Sequence, residues 1–151
     1  MVTQAKSIQP IGNDFVEEKD SFLIPSFEIK LILSDIAEKR LTIQKESVIV
    51  KAYYSAIPKD STIEASHKWG KYSLFDRSIE LTASRTAKFE NIKISKKTYE
   101  SLTNKNIEVL INVISGRRSS DKNILNCDIL EDRLSNLKNK KVSLTGRLIG
   151  E

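Results

Sequence analysis

The sequence predicts an all-β fold: a single β-sandwich of about seven or eight short strands with one or two short helices. Three observations carry this. Apolar residues alternate with polar ones at period two in several segments, most clearly Phe27–Leu33 and Ile107–Ile114. Turn-forming clusters separate these segments at intervals of about 8–14 residues. No strand is followed by a 10–15-residue amphipathic helix, which the parallel crossovers of a βαβ fold require.

Residues 1–25 read as a flexible N-terminal arm, and residues 26–151 as the sandwich domain. The arm holds Pro10, Gly12 and Pro25, an acidic cluster of Glu17, Glu18 and Asp20, and no sustained period. After Pro25 a strand begins, with Phe27, Ile29, Leu31 and Leu33 on one face. The stretch from Ser34 to Ser47 predicts a helical turn and then a short strand at Leu41–Gln44. Val48, Val50, Ala52 and Tyr54 mark a β-branched and aromatic strand that Pro58 ends. A short strand is expected at Thr62–Ala65, then an irregular loop through Gly70. Strands return at Ser78–Ala83 and Lys88–Ile94. The odd spacing from Phe89 to Ile92 swaps the two faces, which predicts a bulge near Glu90–Asn91.

Ser95 is placed to cap a helical turn on which Tyr99 and Leu102 share a face. In the next strand Ile107, Val109, Ile111 and Val113 line one face, while Leu110 and Ile114 lie on the other. Apolar residues on both faces predict a central strand. Ser115–Asn123 is a turn cluster, and Ile124–Ile129 is expected to pair back as its hairpin partner. Ile129, Leu130, Arg133, Leu134 and Leu137 follow a helical spacing. Val142, Leu144, Gly146 and Leu148 close the domain with a strand.

The chain has 151 residues, 39% of them apolar, with 25 basic and 20 acidic residues and a net charge of +5. That length suits one domain with a real core and excludes a separate cofactor domain. The longest apolar run is three residues, so no segment approaches the roughly 20 apolar positions of a membrane span. No secretory signal is visible in residues 1–20. The expected location is cytoplasmic for a chain complete as given, and periplasmic and envelope-anchored if a signal was removed.

The residue inventory argues against an enzyme. His67 is the single histidine and Cys127 the single cysteine. Neither has a visible base or nucleophile partner, and together they fall short of the four ligands of a structural zinc site. Asp35, Asp60, Asp76 and Asp121 are scattered singly, without a calcium-loop pattern. The glycines at 12, 70, 116, 146 and 150 form no phosphate-binding motif. No catalytic, cofactor-binding or metal-binding residue is therefore assigned.

Charge is unevenly placed. Residues 1–44 carry five basic against seven acidic groups, which leaves twenty against thirteen in residues 45–151, a net of +7 for the body. Basic nucleic-acid binding is an alternative on that ground. Mixed signs along the strands, Lys in excess of Arg, and the absence of an aromatic pair among the basic residues favour a protein partner. The first candidates for partner contacts are Trp69 and Tyr72 in HKWGKYSLF, because aromatic side chains dominate binding hot spots. Arg117 and Arg118 in SGRRSS are the second.

The strand sequence ESVIVKAYYS, then RTAKFENIKIS with Phe89, Ile92 and Ile94, then NIEVLINVIS resembles the strand order of transthyretin-like β-sandwiches over roughly residues 46–115. One branch of that architecture is the small outer-membrane lipoprotein of bacterial type VI secretion machines, which FEIKLILSDIAEKRL…ESVIVKAYYS resembles in its opening two strands. The resemblance implies a non-enzymatic, envelope-anchored assembly subunit that binds a periplasmic partner through sandwich loops. It transfers no functional residue, and the acylated N-terminal Cys of that branch has no counterpart here. The overall expectation is a non-catalytic binding or assembly subunit. A small ligand carrier or an enzyme without a recognisable motif is the remaining alternative.

Overall fold

The computed structural model describes residues 10–11, 15–56, 72–102 and 106–151. These form twelve strands and three short helices, so the chain is all-β with few helices. The strands are β1 (Pro10–Ile11), β2 (Phe15–Glu17), β3 (Ser21–Leu23), β4 (Phe27–Leu33), β5 (Val48–Ala56), β6 (Tyr72–Leu81), β7 (Thr86–Phe89), β8 (Lys93–Ser95), β9 (Glu108–Ser115), β10 (Leu125–Cys127), β11 (Leu130–Arg133) and β12 (Lys141–Leu148). The helices are α1 (Asp35–Gln44), α2 (Lys96–Glu100) and α3 (Leu134–Leu137). The strands are organised in three four-stranded sheets rather than one sandwich: β10-β12-β4-β7, β11-β9-β5-β6 and β1-β2-β3-β8.

The two larger sheets contribute alternate residues to one buried cluster. Phe27, Ile29, Leu31 and Leu33 of β4 are buried, as are Val48, Val50, Ala52 and Tyr54 of β5 and Val109, Ile111 and Val113 of β9. These are the residues that period-two alternation singles out. β9 is an interior strand, between β11 and β5, as its sequence predicts. β12 closes the domain beside β4, but the pairing is parallel, from Lys141↔Glu28 to Gly146↔Leu33. The sequence-based reading anticipated no parallel pair. The chain supplies one without a βαβ unit, by bringing its last strand back to β4 after a long excursion through the other sheets.

Local signals set most element ends, and they correct several expectations. The predicted turn and short strand at Leu41–Gln44 is a continuous helix, α1. Ser34 caps it by accepting a hydrogen bond from the Ala37 N–H at 3.1 Å. Lys45, at φ 55, ends it with its N–H on the Leu41 and Thr42 carbonyls. Within α1 only Ala37 and Leu41 are buried. The face swap after Phe89 is not a bulge. Asn91 takes φ 57, and the chain leaves the β4 sheet to enter the β3 sheet as β8. The stretch 124–129 does not form a hairpin with β9 either. β10 pairs with β12 in the opposite sheet, and β11 is the strand that returns to β9.

Residues 15–25, expected as part of the arm, are built into the fold. Phe15 and Phe22 are 1% and 5% exposed and meet the Tyr99 ring at centroid distances of 5.0 and 4.3 Å. Ser95 caps α2 as expected, which turns Tyr99 onto this hairpin. Ion pairs of Lys96 with Glu17 and of Lys93 with Glu18 fasten its rim. Among the described residues no helix is long and apolar enough to cross a membrane.

Candidate binding surface

The outer face of the β11-β9-β5-β6 sheet is built by the strand residues that point away from the core. Register places them in rows across the sheet. One row runs Asp76–Tyr53–Leu110–Glu131, and another runs Glu80–Ile49–Ile114. Between them lie Ser78, Lys51 and Asn112. Two apolar pairs, Tyr53 with Leu110 and Ile49 with Ile114, therefore sit about 14 Å apart along the strands. Carboxylates on the neighbouring strands flank both pairs. Tyr53 is 36% exposed, and Ile49, Leu110 and Ile114 are half-buried. Lys51 folds over the Tyr53 ring, its Nζ 5.3 Å from the centroid. The sequence showed apolar residues on both faces of β9, and the second set is this outer face rather than a second buried one.

Arg117 and Arg118 meet this surface at the Ile49–Ile114 end. Glu46 explains how. Its carboxylate, in a residue only 4% exposed, accepts from the backbone N–H groups of Ser47, Arg118 and Ser119 at 2.9, 2.8 and 3.1 Å, and from Ser119 Oγ at 2.9 Å. Burial alone would raise its pKa, but these hydrogen bonds to the charged form outweigh it and hold the group below the usual carboxylate range. Glu80 accepts from Arg118 Nε at 2.6 Å and from Arg118 Nη2 at 3.1 Å, and from Ser47 Oγ at 2.5 Å. Those bonds hold it down to about 2. Gly116 lets the turn lie this close: a Cβ there would stand 1.8 Å from Ser47 Oγ. Arg118 is thus committed to Glu80, whereas Arg117 is exposed at the tip with φ 59.

Tyr72 opens β6 opposite Ala56, at the other end of the same sheet. Trp69, His67 and the strand expected at Thr62–Ala65 lie outside the described residues. Of the sequence candidates described, Arg117 and Arg118 lie at one end of this surface, while Tyr72 pairs with the buried Ala56 at the other; the centre, Tyr53 with Leu110, is not among them. The signal was present in the alternation of β5 and β9, but only cross-strand register shows that the two residues are neighbours.

A groove of about 560 Å³ lies on the α1 side of the turn, lined by Glu38, Lys45, Glu46, Ser47, Arg85 and Arg118 among others. Its charges are mostly matched internally. Arg85 grips Glu38 through Nε and Nη2 at 2.9 and 2.8 Å, and Arg118 grips Glu80. The groove is a set of ion-paired braces between α1, β6 and the 82–85 connection. Cys127 is packed against Gly146, where a Cβ would stand 2.4 Å from its sulfur. Burial, with Asp128 beside it, pushes the thiol up to about 11. Among the described residues no group of three or more His, Cys, Asp or Glu side chains is arranged to hold a metal ion. The chain matches no protein-family model, no curated protein and no solved structure.

Proposed function

We propose that the chain is a non-catalytic binding module that works as a protein-interaction or assembly subunit, using the outer face of the β11-β9-β5-β6 sheet. The observation that carries the reading is the pair of apolar clusters, Tyr53–Leu110 and Ile49–Ile114, held on a rigid sheet and flanked by Asp76, Glu131 and Glu80. An apolar centre with a polar rim is the anatomy of a protein interface. The face mixes Asp76, Glu80 and Glu131 with Lys51 and Arg118, not the basic stripe that tracks a phosphate backbone, which disfavours nucleic acid here although the chain is basic overall. Membership of a bacterial envelope or secretion assembly belongs to the proposal and rests on the transthyretin-like sequence resemblance.

A photo-crosslinking residue at Tyr53 tests this in cells that make the protein natively. The expected result is a discrete protein adduct from position 53 and none from position 30, where Lys30 is exposed on the other large sheet. Equal yields from both positions, or none from 53, would overturn it.

A further inference from the structure

Helix α1 presents a face that none of the described residues covers. Ile43 is 72% exposed, more than any other large apolar side chain among the described residues, and Ile36 is 57% exposed. Seven residues apart, they stand about 10 Å from one another along one line of the helix. At about 100° per residue, Lys39 and Arg40 fall about 50° to either side of that line. Neither is in an ion pair among the described residues. The four side chains line one shallow depression of about 270 Å³, with Asp35 at its edge about 90° round the helix. Glu38 lies about 150° away, where Arg85 grips it. Two more exposed isoleucines lie at this end of the fold. Ile32, 49% exposed, is on β4 just before the Ser34 cap of α1. Ile149, 60% exposed, follows β12 and is tied to that cap through Glu151, whose carboxylate accepts from Ser34 Oγ at 2.8 Å.

We infer that this face of α1 docks on an anionic lipid bilayer surface. Two isoleucines on one line of a straight helix enter a flat boundary together when the helix lies in its plane. Lys39 and Arg40 then stand at the level of the headgroups, where their charged ends reach lipid phosphates while their stems stay with the apolar surface. A flat surface centred on the isoleucine line meets two cations and no carboxylate within about 90°, which is the charge complement of an anionic leaflet. The face carries no aromatic side chain, the usual anchor of a protein contact. The contact is peripheral, since among the described residues no helix is long and apolar enough to cross a membrane. With two isoleucines and two cations at its centre it is weak, reversible and sensitive to salt. It uses none of the outer sheet face and stands independently of the role proposed for that face.

The test is co-sedimentation of the purified chain with vesicles of phosphatidylcholine alone and of phosphatidylcholine with about one third phosphatidylserine. The wild type should pellet with the anionic vesicles at low salt, stay free of the neutral ones, and be released as ionic strength rises. Lys39→Gln/Arg40→Gln should weaken binding about 30-fold, the contribution of two cations close to the surface. Ile36→Gln/Ile43→Gln, which leaves the charge unchanged, should weaken it at least about tenfold. Lys88→Gln/Lys97→Gln is the charge-matched control, with exposed lysines on β7 and α2, and should bind within about threefold of the wild type because charges away from the contact are screened. All six positions are exposed, so thermal midpoints close to the wild type confirm that each variant folds. A wild type that does not pellet with anionic vesicles, or pellets equally with neutral ones, would overturn the inference. So would an isoleucine variant that binds as the wild type does, or a control as weak as the Lys39/Arg40 variant, which would reduce the binding to general adsorption of a basic protein.

Discussion

Gly116→Ala isolates the steric condition on which the 116–119 turn depends. A methyl at this position would lie 1.8 Å from Ser47 Oγ, 3.1 Å from Ser47 Cβ and 3.2 Å from Glu80 Oε2. Ser47 is 1% exposed and cannot move outward freely. Its hydroxyl must rotate away, which breaks its bond to Glu80, or the turn must lift off β5, which strains the Gly116 N–H bond to the Ser47 carbonyl at 2.8 Å. Overpacking of this kind costs about 1–3 kcal/mol. In a chain of this size that lowers the thermal midpoint by roughly 2–12 °C. The clash is mainly with one oxygen, so Ser47→Ala should relieve most of it, leaving a Cβ–Cβ approach near the lower limit of normal contact. The assay is a double-mutant cycle by urea denaturation, with Gly116→Ala measured both in the wild-type background and in the Ser47→Ala background. A coupling of at least about 1 kcal/mol is expected. Equal costs in the two backgrounds would refute the reasoning.

Glu46 and Glu80 both have folded-state pKa values below the 4.5 of the unfolded chain. The unfolded state therefore binds more protons than the folded state between pH 4.5 and about 2, and stability should fall as pH drops through that window. Glu46→Gln should cost about 1–2 kcal/mol at neutral pH and flatten the acid dependence relative to the wild type, as read from urea midpoints at several pH values. Cys127, raised from 9.0 to about 11, should carry about 100-fold less thiolate near pH 8 than an ordinary thiol. Alkylation with iodoacetamide should be correspondingly slow in the native protein and rise to the ordinary rate in urea. Tyr54 is 1% exposed, with a hydroxyl that finds no hydrogen-bond partner among the described residues. Tyr54→Phe should then be neutral or stabilising by up to about 1 kcal/mol, and a loss of that size would reveal an unrecognised contact.

Much of the β architecture was legible because burial on one face writes period two directly into β4, β5 and β9. Caps were legible for the same local reason: Ser95 and Tyr99 read correctly from spacing alone. What failed depends on contacts distant in sequence. Leu41-Thr42-Ile43-Gln44 alternates like a strand, and α1 buries only Ala37 and Leu41, too narrow a stripe to announce a helix. The parity change after Phe89 marks a change of sheet, which local pattern cannot tell from a bulge. Nothing in Val142–Leu148 distinguishes a parallel neighbour from an antiparallel one. Phe15 and Phe22 looked isolated in a polar arm because their partner, Tyr99, lies some 80 residues away. The candidate surface shows the same division. Arg117 and Arg118 stand out in the sequence, whereas Tyr53 and Leu110 become a site only when β5 and β9 are laid side by side.

Methyl NMR of the labelled chain, in buffer and in a concentrated lysate of the cells that make it, tests the central claim, that the outer sheet face is a protein-contact surface. The methyl signals of Ile49, Leu110 and Ile114 should shift or broaden in the lysate. Core methyls of Ile29 and Ile111, both 0% exposed, should stay fixed. Invariant signals at these three positions, or changes confined to the exposed isoleucines at 32, 36, 43, 129 and 149, would contradict the account.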